Sequence, residues 1–110
     1  MIQFQHKMVF EMNIENWDAI CSTFQDFFEK LGVIEITDSY VSFSSYPDDV
    51  ITHFRINSDG MLSASMPLHG IGIKINNVEF DKIQNRVRTN GVEINYEYQV
   101  PKNILRRRSD

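Results

Sequence analysis

Between Ile14 and Leu31 the apolar residues Ile14, Trp17, Ile20, Cys21, Phe24, Phe27, Phe28 and Leu31 recur in steps of three and four. That spacing places them on one stripe of a 3.6-residue helix. Glu15, Asp18, Ser22, Gln25, Asp26, Glu29 and Lys30 fall on the remaining faces. Asn13 is placed to cap the first amides, and Gly32 to end the helix in the left-handed region. A stripe holding four large aromatics must be buried against a sheet or another helix. The rest of the chain is therefore read as its packing partner.

Residues 2–12 alternate: Ile2, Phe4, His6, Met8, Phe10 and Met12 share one face, and Gln3, Gln5, Lys7 and Glu11 the other, with Val9 the exception. This is a strand with one buried and one wet side. Residues 33–45 read as a hairpin about Asp38-Ser39, which pairs Ile36 with Val41 and Ile34 with Phe43. Residues 50–66 read as a second hairpin through Ser58-Asp59-Gly60. A three-residue loop with a left-handed Gly60 pairs Ile56 with Leu62, Phe54 with Ala64 and Thr52 with Met66. Arg55, Ser63, His53 and Ser65 then share the outer face. After the Pro67–Gly70 connection, Ile71, Ile73 and Ile75 mark a short strand.

For residues 78–89 two patterns compete. A helix is preferred, on its Phe80/Ile83/Val87 stripe, early acids, late bases and Gly91 as terminator. The alternative is a pair of strands around the Asn90-Gly91 turn, matching Val87 with Ile94 and Arg88 with Glu93. Residues 92–100 close the fold as a strand with Val92, Ile94, Tyr96, Tyr98 and Val100 inward. The expected architecture is an α+β two-layer sandwich. A mostly antiparallel sheet of about five to seven strands carries one long helix (14–31) and a second helix (78–89) on one face.

The chain has 110 residues, which suits one domain over residues 1–101. It carries a net charge of −4, unevenly placed. Residues 1–60 hold ten acids and three bases, whereas residues 61–110 hold five acids and eight bases. The excess of bases lies in a basic, flexible C-terminal tail, 102–110. That tail meets either the acidic surface of its own domain or a partner, with Arg106, Arg107 and Arg108 as the partner-binding candidates. One cysteine permits no internal disulfide. There is no signal-peptide or membrane-spanning apolar run, so the expected setting is the cytoplasm.

Signals for chemistry are sparse. Cys21 lies on the buried stripe, His6 on an apolar face, His53 on an outer face and His69 in a connection. No pair of them has metal-ligand spacing, so neither a metal nor a cofactor is expected. Asp48-Asp49 after Tyr46-Pro47 reads as a solvated turn or helix cap. No phosphate-binding loop, nucleophile elbow or dinucleotide fingerprint is present. Nucleic acid is disfavoured, because the aromatics point inward and the first half is acidic. The expectation is a small non-enzymatic binding or protein-interaction domain, with an unknown protein or a second copy as partner. The alternatives are a small-molecule binder or enzyme with its pocket lined by His6, Trp17, Tyr96 and Tyr98, and RNA contact through the tail.

Overall fold

The computed structural model of the chain describes residues 8–66, 69–92 and 94–109. In order come β1 (Val9–Asn13), α1 (Trp17–Phe28), β2 (Gly32–Ile36), β3 (Tyr40–Ser45), β4 (His53–Asn57), β5 (Met61–Met66), β6 (His69–Lys74), β7 (Asn77–Asp81), β8 (Arg86–Asn90), β9 (Asn95–Gln99) and α2 (Lys102–Leu105), and then a 3₁₀ turn over Arg106–Ser109. The strands form a five-stranded sheet, β2-β3-β4-β5-β6, and a four-stranded sheet, β1-β7-β8-β9. Every pairing in both is antiparallel. The mixed α+β class holds, but with two sheets where one was expected.

The chain crosses from the larger sheet to the smaller one at Ile75-Asn76. Ile75 donates to Gly60 O and Asn76 to Asn90 O, so each residue serves a different sheet. Between the sheets lies a core built on α1. Phe28 stacks on Phe43 of β3 with ring centroids 4.3 Å apart, and Phe27 meets Phe80 of β7 at 5.7 Å. Phe54 of β4 and Tyr98 of β9 join the sheets directly at 4.8 Å. Phe24, Phe27, Phe28, Phe43, Phe54, Phe80 and Tyr98 are all fully buried. The space between helix and sheets is thus filled by rings, whose offset and tilted contacts add to the gain from area burial.

Both hairpin registers match the alternation in the sequence. Ile36 faces Val41 and Ile34 faces Phe43. The Asp38-Ser39 turn lacks glycine but is held by Thr37, whose Oγ1 accepts from Ser39 N and Tyr40 N. Ile56 faces Leu62 and Phe54 faces Ala64, with Gly60 at φ 96° in the left-handed region. Residues 2–7, including His6, and the Pro67-Leu68 step lie outside the described residues.

The helix is shorter than 14–31, for reasons at each end. Asn13 belongs to β1 opposite Asn77, and Ile14 N donates to Asn76 O. Those backbone groups are engaged with the sheet, so the helix starts later, at Trp17. Asn13 Oδ1 instead accepts from Glu15 N in a turn ahead of it. At the other end Lys30, at φ 72°, takes the left-handed position. Gly32 lies in β2, where an added Cβ would stand 2.3 Å from Ser44 O. The glycine serves close strand approach instead of helix termination.

The helix expected over 78–89 is replaced by β7 and β8. Val78 and Phe80, then Val87 and Thr89, are buried at alternate positions. Asp81 Oδ1 accepts from Ile83 N and Gln84 N, and Asn85 at φ 56° completes the turn. Asx-turn chemistry therefore wins over the weak three-residue stripe. β8 pairs with β9, but Val87 faces Tyr98, and Arg88 faces Glu97. The loop is wider than an Asn-Gly turn, which leaves Val92 81% and Ile94 54% exposed where inward positions were expected.

Candidate functional site

The outer faces of the two sheets differ in chemistry. On the smaller sheet Glu11, Glu79, Arg88 and Glu97 lie in one row across the strands. Arg88 Nε is 3.2 Å and Arg86 Nη1 3.5 Å from Glu97 Oε1. An open cleft of about 300 Å³ beside them is lined by Arg88, Thr89, Asn90, Asn95, Tyr96 and Glu97. Long, mutually paired side chains of this kind make a solvated surface.

The larger sheet is built otherwise. The register aligns Glu35, Ser42, Arg55, Ser63 and Gly72 in one row, and Val33, Ser44 and His53 in the next. Most of these side chains are short. Glu35, His53 and Arg55 are longer, and Arg55 is held flat: its guanidinium carbon lies 3.8 Å from the centre of the Tyr40 ring, and Nε donates to Asn57 Oδ1 at 2.8 Å. Ser42 Oγ donates to Glu35 Oε1 at 3.4 Å. A cation resting on an aromatic face and tied at one nitrogen has little rotamer freedom left to lose on contact.

Beside this pair, Ser44 Oγ and His53 Nδ1 lie 3.2 Å apart. Burial, and then the charge of Arg55, depress the His53 pKa from 6.5. Both effects favour the neutral imidazole. Among the described residues no carboxylate hydrogen-bonds its other nitrogen. A serine–histidine contact on a flat strand pair, with no orienting acid, has the form of a cross-strand polar pair more than of a nucleophile and base.

The three tail arginines are engaged within the fold. Arg107 Nε donates to Asp49 Oδ2 at 2.7 Å, and Arg106 Nη2 to Asp49 Oδ1 at 3.2 Å. Arg108 Nη2 donates to Phe27 O at 2.7 Å, and its Nη1 to Asn85 Oδ1. Arg107 also lies over Tyr46, and Arg108 over Phe27. The residues read as a tail thus clasp the β3–β4 loop, the end of α1 and the β7–β8 turn. Ile104 is fully buried beneath them. An open cleft of about 400 Å³ is lined by Asp48, Asp49, Val50, Lys102, Asn103 and Arg106.

The other residues singled out by sequence do not converge. Tyr98 is buried, with its hydroxyl 2.6 Å from Thr52 Oγ1. Tyr96 lines the cleft on the smaller sheet. Trp17 Nε1 donates to Thr37 O at the far end of α1. Burial, with Asp18 and Asp38 nearby, pushes the Cys21 thiol up and away from its reactive form. Among the described residues no three of His, Cys, Asp and Glu gather as a metal site, and no helix is long and apolar enough to cross a membrane.

Sequence reasoning put Arg55, His53 and Ser63 on an outer face but missed Tyr40 as the support for Arg55. The pairing of β3 with β4 across the Tyr46–Thr52 loop creates that contact, and only the alternation of each strand hinted at it. No protein-family model, no curated protein and no solved structure matches this chain.

Proposed function

We propose that this chain is a non-enzymatic protein-interaction domain that receives its partner on the outer face of the larger sheet. One observation carries the reading: Arg55 is immobilised on Tyr40 and Asn57, in one row with Ser42 and Ser63. Arginine and tyrosine are the residue types that most often dominate interface energies, and preorganisation lowers the entropic cost of using them. Ser63 beside it is short and exposed, which lets a partner surface approach the backbone closely there. The smaller sheet offers paired charges in place of such a face. The tail arginines stay outside this reading, since they already hold Asp49, Asn85 and Phe27 O.

A photo-crosslinking amino acid at Ser63, compared with one at Glu79 on the smaller sheet, tests the proposal in cells producing the protein. A defined protein adduct is expected at position 63, absent at 79 and lost when Tyr40→Ala frees the Arg55 side chain. Adducts equal at both positions, or unaffected by Tyr40→Ala, would remove the face from consideration.

A further inference from the structure

The larger sheet ends at β2, and the ladder shows which of that strand's backbone groups face away from the sheet. Thr37 N donates to Tyr40 O at 2.8 Å, so Thr37 and Tyr40 form a hydrogen-bonded pair. Such pairs alternate along an antiparallel ladder, so the N–H and C=O groups of Glu35 and Val33 also turn toward β3. Those of Gly32, Ile34 and Ile36 then point away from the sheet. The strand reads Gly-Val-Ile-Glu-Ile, with Val33 52% and Ile36 38% exposed. Protein edges are commonly blunted by lysine, proline, a bulge or covering chain. Here Glu35 is the one charged residue of the strand. β9 carries Glu97 and Gln99, and β6 carries Lys74 and runs on into β7 through Ile75-Asn76.

We propose that a second copy of this chain pairs with β2 along this edge, antiparallel and centred on Ile34, so that the two larger sheets become one continuous sheet. The centre follows from charge. An axis at Glu35 would set two carboxylates against each other, whereas an axis at Ile34 sets Glu35 beside Val33 of the second copy. It pairs Ile34 with Ile34 and places Ile36 against Gly32, which has no side chain to obstruct it. The outward groups of Gly32, Ile34 and Ile36 supply about six backbone hydrogen bonds across the two-fold axis. A five-residue ladder buries less than the ~1,200–2,000 Å² of a standard interface. The expected dissociation constant is therefore micromolar or weaker.

This goes beyond the partner face proposed above, and the test keeps the two apart. Sedimentation of the full chain from micromolar to millimolar concentration is expected to show a monomer–dimer equilibrium. Amide exchange at Ile34 and Ile36 should slow as concentration rises, while exchange at Phe43 stays constant. Ile36→Lys puts a lysine on an exposed edge position and should raise the dissociation constant about tenfold or more. Tyr40→Ala should leave the dimer intact. A chain that stays monomeric throughout overturns the edge pairing while leaving the partner face standing. So does a dimer whose dissociation constant is unchanged by Ile36→Lys. A dimer lost on Tyr40→Ala, with Ile34 and Ile36 amides unprotected, shows instead that copies meet face to face and also overturns it.

Discussion

Arg107 Nε and Asp49 Oδ2, 58 residues apart in the chain, lie 2.7 Å from each other, and the Asp49 side chain is only 3% exposed. The contact closes the C-terminal turn over the loop between β3 and β4. The Arg107 hydrogen bond, more than any other effect, holds the Asp49 carboxyl below its ordinary value of 3.8; burial opposes it and Arg106 adds to it. A carboxylate whose pKa is lower folded than unfolded stabilises the fold above the unfolded value. That stability disappears as pH falls through the folded one. Urea midpoints measured from neutral pH down to about pH 2 should therefore decline below the ordinary carboxylate range of about 4. Asp49→Asn should be less stable at neutral pH and decline less in acid. An acid limb identical to wild type would show that the contact contributes nothing.

His53 should titrate below 6.5, because burial and Arg55 both oppose its protonation. Proton–nitrogen correlation spectra across that range would report its midpoint. Arg55→Ala should raise the midpoint toward 6.5 without reaching it, since burial is the larger cause. A midpoint at or above 6.5 in the wild type would contradict the geometry of the outer face.

Burial pushes the Tyr98 phenol upward, and the Thr52 contact offsets this only in part. Of the chain's 4 tyrosines, Tyr98 should be the last to ionise in an alkaline absorbance titration. Tyr98→Phe deletes the 2.6 Å hydrogen bond and should destabilise the fold by about 1 kcal/mol in urea. Ionisation of all the tyrosines in one step would place this ring at the surface.

Gly32 tolerates no side chain, since an added Cβ meets Ser44 O at 2.3 Å and the Phe43 ring at 2.7 Å. Gly32→Ala should cost roughly 1–3 kcal/mol by separating β2 from β3. Its amide exchange should quicken at the Gly32 end of the hairpin before the turn end. An alanine variant as stable as wild type would show that the strands can part without loss.

Phe28 touches both sheets, stacking on Phe43 at 4.3 Å and approaching Tyr98 at 6.2 Å. Phe28→Ala should destabilise by about 3–5 kcal/mol, because neighbours from three elements cannot all collapse into the space. Denaturant unfolding checks this. A loss near that of a surface substitution would remove α1 from the centre of the core.

Much of the fold was legible where the interactions are local. The helix announced itself through Ile20, Phe24, Phe27 and Phe28, and the hairpins through Ile36–Val41 and Ile56–Leu62. Residues a few positions apart are brought together by turn geometry and side-chain period alone. The candidate site was half legible: alternation turned His53, Arg55 and Ser63 outward, but nothing in the chain's order linked Tyr40 to Arg55.

The sequence by itself determined the aromatic stripe, the two hairpin registers and the left-handed Gly60, because each depends on neighbours along the chain. Only the tertiary structure decided that 78–89 is two strands. Over so few residues a period of 3.6 and a period of 2 bury overlapping sets, and β1 and β9 supply the backbone partners that select one. It also decided that the strands divide into two sheets, and that Arg107 meets Asp49. Both outcomes depend on groups far apart in the chain, held in place by the core that Phe28, Phe54 and Tyr98 fill between the sheets.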